Sequence, residues 1–141
     1  MTSSGIEVGD DILDSYGKVK KRGGTNLSIC RISKAKDKVE LEREGEGQDW
    51  ETVRALITTE FATEPIFVFY EFVYENAEGN PQDKVVCINW SPDSAGIKQK
   101  MLQSSTFDAV KKKVNHTGKV VEAHDAEDLT FAAVKEKCES K

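Results

Sequence analysis

The sequence predicts an α/β chain of the α+β kind, a central mixed sheet of about five strands flanked by helices. Three observations point there. Ile66 to Tyr74 is a long aromatic and β-branched run, the strongest strand signal in the chain. Amphipathic helical patterns stand on both sides of it. A length of 141 residues with 38% hydrophobic and 32% charged composition suits a single domain over residues 1–141 with one sizeable core.

The opening Thr2-Ser3-Ser4-Gly5 is small and polar, and nothing periodic precedes Asp10, so a frayed leader is expected. From Asp10 a helix is predicted with Ile12, Leu13, Tyr16 and Val19 on one side, acids early and lysines late as the helix dipole favours. Gly23-Gly24 would stop it. Asn26 to Ile32 and Lys38 to Arg43 suit two strands joined as a hairpin through Ser33 to Asp37. In the second strand, Val39 and Leu41 alternate inward. In the first, Leu27, Ile29 and either Cys30 or Arg31 compete for the inward side. Glu44 to Asp49 is expected as a polar loop, and Trp50, Val53, Leu56 and Ile57 as a short helix ending before Pro65. Asn76 to Asp83 should turn the chain from the Ile66 strand into a partner strand, Val85 to Trp90. Asp93 or Ser94 would cap the next helix, which presents Ile97, Met101 and Leu102 inward and is interrupted or recapped at Ser104 to Thr106. Val110 and Val114 continue the stripe to Gly118. A short strand at Lys119 to Glu122 and a terminal helix capped by Thr130, with Val134 and Cys138 on one face, complete the pattern.

Composition excludes several function classes. Three prolines and ten glycines do not make a collagen-like, mucin-like or linker chain. No apolar run approaches the ~20 residues a membrane helix needs, and the opening residues lack the apolar core of a secretory signal. Cys30, Cys87 and Cys138, odd in number and widely spaced, form neither a disulfide framework nor a zinc motif, and a reducing compartment is expected. The net charge of −5 is unevenly spread. Asp37 to Glu51 holds seven acids against two bases, whereas Lys98 to Lys119 holds six lysines against Asp108 alone. One basic segment in an acidic chain argues against nucleic acid and for an acidic partner surface.

Catalytic chemistry finds no support. His116 and His124 have no cysteine or second histidine at ligand spacing, so no metal is expected. His124 adjoins Asp125, but adjacent residues rarely face each other. The glycine pairs lack the strand-loop-helix spacing of a phosphate loop. Cys138 lies among lysines that could activate a thiol, although an ordinary packed thiol is the simpler reading. The basic segment is the better clue: Lys98 and Lys100 follow the Trp90-Ser91-Pro92-Asp93 turn, and Lys111-Lys112-Lys113 spans nearly a helical turn.

These residues carry a resemblance. Ser4-Gly5-Ile6, Phe69-Tyr70-Glu71-Phe72, Trp90-Ser91-Pro92-Asp93-Ser94-Ala95, Ile97-Lys98-Gln99-Lys100-Met101, Ser104-Ser105 and Asp108-Ala109-Val110-Lys111-Lys112-Lys113 together resemble the actin-depolymerising factor/cofilin family nearly end to end. The resemblance implies the ADF-homology fold, no cofactor and no enzyme activity. It implies a monomeric, cytoplasmic protein of the actin cytoskeleton that binds ADP-actin monomers and promotes filament depolymerisation. Nuclear entry stays open, because the lysine triplet alone is a weak import signal. Ser4, Gly5, Ile6, Lys98, Lys100, Met101 and Ser105 would contact monomeric actin. Lys84, Glu136 and Lys137 would form the filament-side surface. Lys98, Lys100, Lys111, Lys112 and Lys113 could attract phosphoinositide headgroups. Ser3 or Ser4 could take a phosphate whose roughly two negative charges repel an acidic actin surface.

Departures from the family pattern also bear on function. Gln103 stands where a tyrosine is usual, Phe107 where a lysine is common, and Gly96 where proline or another residue is found. The Gly79 to Lys84 loop keeps only Lys84 where many severing members carry two adjacent basic residues. Filament-side binding and severing are therefore expected to be weak. Two alternatives remain: a coactosin-like filament side-binder, and a modulator that sequesters monomers or alters their nucleotide exchange.

Overall fold

A computed structural model describes residues 6–21 and 23–139. The elements run β1 (Glu7–Val8), α1 (Asp10–Lys20), β2 (Thr25–Ile32), β3 (Lys38–Glu46), α2 (Trp50–Glu60), β4 (Ile66–Glu75), β5 (Pro81–Trp90), α3 (Ile97–Val114), β6 (Lys119–Ala123), a 3-10 turn (Ala126–Leu129) and α4 (Phe131–Glu139). The strands form one six-stranded sheet in the order β1-β3-β2-β4-β5-β6. β1 on β3 and β6 on β5 are parallel, and the rest of the sheet is antiparallel.

The sheet is covered on both faces, which is why its central strand is an unbroken apolar run. On β4, Ile66, Val68, Tyr70, Phe72 and Tyr74 pack against Trp50, Val53 and Ile57 of α2 and Val134 and Cys138 of α4. Phe67 and Phe69 point the other way, into Ile12, Tyr16 and Val19 of α1 and Phe107, Val110 and Val114 of α3. Phe67 and Phe107 stack with centroids 5.8 Å apart. The same alternation settles β2: Leu27 and Ile29 face the α2 side and Cys30 the α1 side. Both tryptophans donate their buried indole N–H to a carbonyl, Trp50 to Leu129 and Trp90 to Phe61, each at 2.8 Å.

Several expectations are corrected. Ile6 is buried and Glu7–Val8 pair with Lys38–Val39, so the described part of the supposed leader is built into the sheet edge. Leu13 is exposed, and its place on the inner face of α1 is taken by Ser15, whose hydroxyl bonds Ser28 and Glu44. Leu41 is also exposed. β3 runs on to Glu46 rather than ending at Arg43, held by pairs such as Ser28–Glu44 and Thr25–Glu46. β5 begins at Pro81, so the turn shrinks to Asn76–Asn80. There the Asn76 carboxamide oxygen accepts from Glu78 N at 3.0 Å and Asn80 N at 2.9 Å, and Gly79 adopts φ +80°. Neither Asp93 nor Ser94 caps α3; its N-cap is Gly96, without a side-chain bond. α3 is continuous through Ser104 to Thr106 and ends before Gly118. Asn115 in the left-handed conformation stops it, with His116 N bonding Lys111 O and Asn115 N bonding Lys112 O.

Candidate functional site

The outward face of α3 is the candidate site, and its construction follows from the helix's inner stripe. Gln103, Thr106, Phe107, Val110 and Val114 are buried at three- and four-residue steps. Extended backward, that stripe passes through 99 and 100, not through 97 or 101. Ile97 and Met101 therefore point to solvent, 78% and 68% exposed, which corrects the expectation that they face inward. With half-buried Ser105 they make an i,i+4 row, beside exposed Lys98 and half-buried Lys100. The Ser105 hydroxyl is turned onto its own helix, 3.3 Å from the Met101 and Leu102 carbonyls.

The start of α3 contradicts helix-stabilising rules. It has no capping side chain and no acid in its first turn, and it carries two lysines where the dipole already leaves positive charge. Two large apolar side chains lie in water beside them. Local conflict of this kind is expected where a surface serves binding rather than the fold, and the chemistry on offer is an apolar row with a basic margin.

The far end of α3 differs. Lys113 Nζ lies 2.8 Å from Asp10 of α1, Lys111 lies 3.3 Å from Asp108 and 4.7 Å over the Phe107 ring, and Lys112 is exposed. The lysine triplet is thus divided between internal contacts and solvent. Phe107 is a core residue, so its presence in place of a lysine fills the interior.

Of the remaining predicted site residues, Ser3, Ser4 and Gly5 lie outside the described residues. Ile6 is 1% exposed, so its side chain anchors the chain entering β1. Lys84 on β5 is half-buried, close enough to Cys138 of α4 to influence its thiol, and Glu136 and Lys137 are exposed on that same helix. Lys84 thus lies near the helix that carries the other two proposed filament-side residues.

The groups considered for catalysis have structural partners. His116 Nε2 bonds the Lys119 carbonyl at 2.8 Å, so Nε2 carries the proton, and Nδ1 accepts from the Tyr16 hydroxyl at 2.7 Å. Burial lowers the His116 pKa and raises that of Tyr16 to about 12. His124 Nδ1 bonds the Ser91 carbonyl, while Asp125 caps the 3-10 turn. Burial raises the Cys138 pKa, against the activation its lysines suggested. Among the described residues no group of three or more His, Cys, Asp or Glu could hold a metal ion, and no helix is long and apolar enough to cross a membrane.

A family model described as cofilin/tropomyosin-type actin-binding protein matches residues 5–139. The chain belongs to this family. It is an actin-binding protein and not an enzyme. Relatives include actophorin of Acanthamoeba castellanii, 30% identical over 135 residues and covering 95% of each chain. The cofilin of Gibberella zeae is 25% identical over 143 residues, covering 95% of this chain and 94% of the relative. Among solved structures, Streptomyces griseoflavus cofilin superposes with a TM-score of 0.84 at 21% identity, over 96% of this chain and 98% of that one. Entamoeba histolytica coactosin superposes at 0.77 with 19% identity, over 96% and 95%. Likeness at these identities shows the ADF-homology fold alone.

Proposed function

We propose that this single-domain family member binds ADP-actin monomers through the first half of α3 and promotes filament depolymerisation, with weak filament-side binding and severing. The observation that carries the reading is the solvent-facing Ile97–Met101 row flanked by Lys98 and Lys100. An apolar ridge with a basic margin suits an apolar cleft with an acidic margin. Ser105 extends the row, and Ser3, Ser4 and Gly5 would reach the same partner from the amino terminus, with Ser3 or Ser4 as the switch for phosphorylation. The weak filament side follows from the short Asn76–Asn80 turn, which has no basic residue, and from Lys84 being the one basic residue from Gly79 to Lys84. Lys98, Lys100 and Lys112 are the stronger candidates for phosphoinositide headgroups, since Lys111 and Lys113 have internal partners. The site of action would be the cytoplasmic actin cytoskeleton.

Cosedimentation with filamentous actin across protein ratios tests this reading. Actin moving to the supernatant with little partner in the pellet is the expected result. Stoichiometric copelleting without loss of filament mass would overturn it in favour of a coactosin-like side-binder. Accelerated nucleotide release from monomers would instead point to an exchange modulator.

A further inference from the structure

We infer that the notch where β4 parts from β2 is a docking site for an extended segment of a partner protein, of the pattern basic-x-apolar-x-basic. The two strands pair from Cys30–Phe67 to Leu27–Tyr70 and no further. Continued, that register would set Asn26 against Glu71 and Gly24 against Val73. These four residues instead line a groove of about 540 Å³, with Asp49 before α2 and Phe131 of α4 also in its walls. Among the described residues, Glu71 to Glu75 therefore has β5 on one side and no strand on the other. A strand edge left in this way is a template that an added strand can satisfy through its backbone.

The side chains along this edge set it apart from the outer edge of β3. Beyond Val39, where β1 ends, that edge carries Glu40, Glu42, Arg43, Glu44 and Glu46, and charges of that density keep a free edge from pairing. β4 offers the apolar interval Phe72-Val73-Tyr74, bracketed by Glu71 and Glu75. Phe72 and Tyr74 face the α2 and α4 side, so Glu71, Val73 and Glu75 share the opposite face. Val73 is 57% exposed there, and Phe131 on the other face is 40% exposed. A strand laid against β4 covers Val73 with its own central residue and sets a basic residue opposite each glutamate. Acids dominate the facing wall too, for the chain from Glu44 to Glu51 holds four acids and no base. The occupant is therefore basic as well as apolar. None of the lining residues belongs to α3, so the site stands apart from the monomer-binding reading.

The test is a titration of the isotopically labelled full chain by two-dimensional NMR, using the peptide acetyl-Thr-Lys-Thr-Val-Thr-Lys-Thr-amide. Saturable shifts confined to the amides of Gly24 to Asn26 and Glu71 to Glu75 are expected. N-methylating two adjacent central residues puts a methyl group on both edges of the peptide. That should weaken binding at least about fivefold, the factor for one lost hydrogen bond. Exchanging both lysines for glutamate should abolish saturation. Glu75→Lys, at an exposed position, should weaken the lysine peptide severalfold at low salt. A peptide with one lysine exchanged for glutamate should then bind the variant better than the original chain. Equal binding of the N-methylated or acidic peptide, no recovery on charge exchange, shifts centred elsewhere, or no saturable shift would overturn the proposal. Shifts of these same amides that grow with protein concentration alone would also overturn it, assigning the edge to a second copy of this chain.

Discussion

Replacing Ile97 and Met101 together by alanine separates binding from folding, because both side chains already lie in water. Each substitution removes three heavy atoms beyond Cβ. At about 0.8 kcal/mol per buried methylene equivalent, scaled by exposures of 78% and 68%, full coverage by a partner makes the pair worth about 3.5 kcal/mol. That corresponds to roughly three hundredfold in affinity. The assay is a fluorescence titration of labelled ADP-actin monomers, with thermal unfolding of the free variant as control. The melting temperature should stay within about a degree or rise slightly, since alanine favours helix. A loss of less than about threefold, with the fold intact, would show that this row is not the buried centre of the interface and would refute the argument from α3's exposed face.

Three further outcomes follow from the packing and the turn. Phe67→Ala removes a fully buried ring that stacks on Phe107 and should cost about 3–5 kcal/mol, readable as a large drop in the urea midpoint. His116, held neutral by burial, resists the proton that an unfolded imidazole takes up below about pH 6.5. The stability present above that pH should be lost as pH falls toward the lowered native value. Between about pH 7 and pH 5.5, ahead of the carboxylates, the urea midpoint should fall, and His116→Gln should flatten that slope. Placing lysines at Asn80 and Gln82 restores adjacent basic charge near Lys84 and should raise filament copelleting severalfold at low salt, with the gain fading as salt is added.

What was legible in the sequence was what depends on near neighbours. β4 announced itself because both faces of its first half are buried, α2 because Trp50, Val53 and Ile57 recur at helical spacing on its buried face, and α4 because Thr130 accepts from Ala133 N at its start. What was hidden depends on distant partners. β1 is two residues long and exists through β3, so no local pattern could reveal it. The charged ends of β3 and the proline start of β5 looked like loops, and only cross-strand pairing makes them strands. Ile97 and Met101 depart from the rule that apolar residues face the core, so composition alone gives their direction wrongly. The stripe of Val114, Val110, Phe107 and Gln103 carried the correction, had the polar glutamine been accepted as an inner residue.

The three cysteines give the molecule a built-in record of its own opening. Cys30 and Cys87 lie beneath α1 and α3, Cys138 sits on the inner face of α4 across the sheet, and all three are free and buried. An alkylating reagent in solution therefore meets a thiol only when a layer lifts. The order in which the three sulfurs acquire the label would tell which side of the sheet breathes first, without introducing a foreign probe. Labelling repeated with actin bound would show whether clamping α3 from outside quiets Cys30 and Cys87 while leaving the opposite layer free to open.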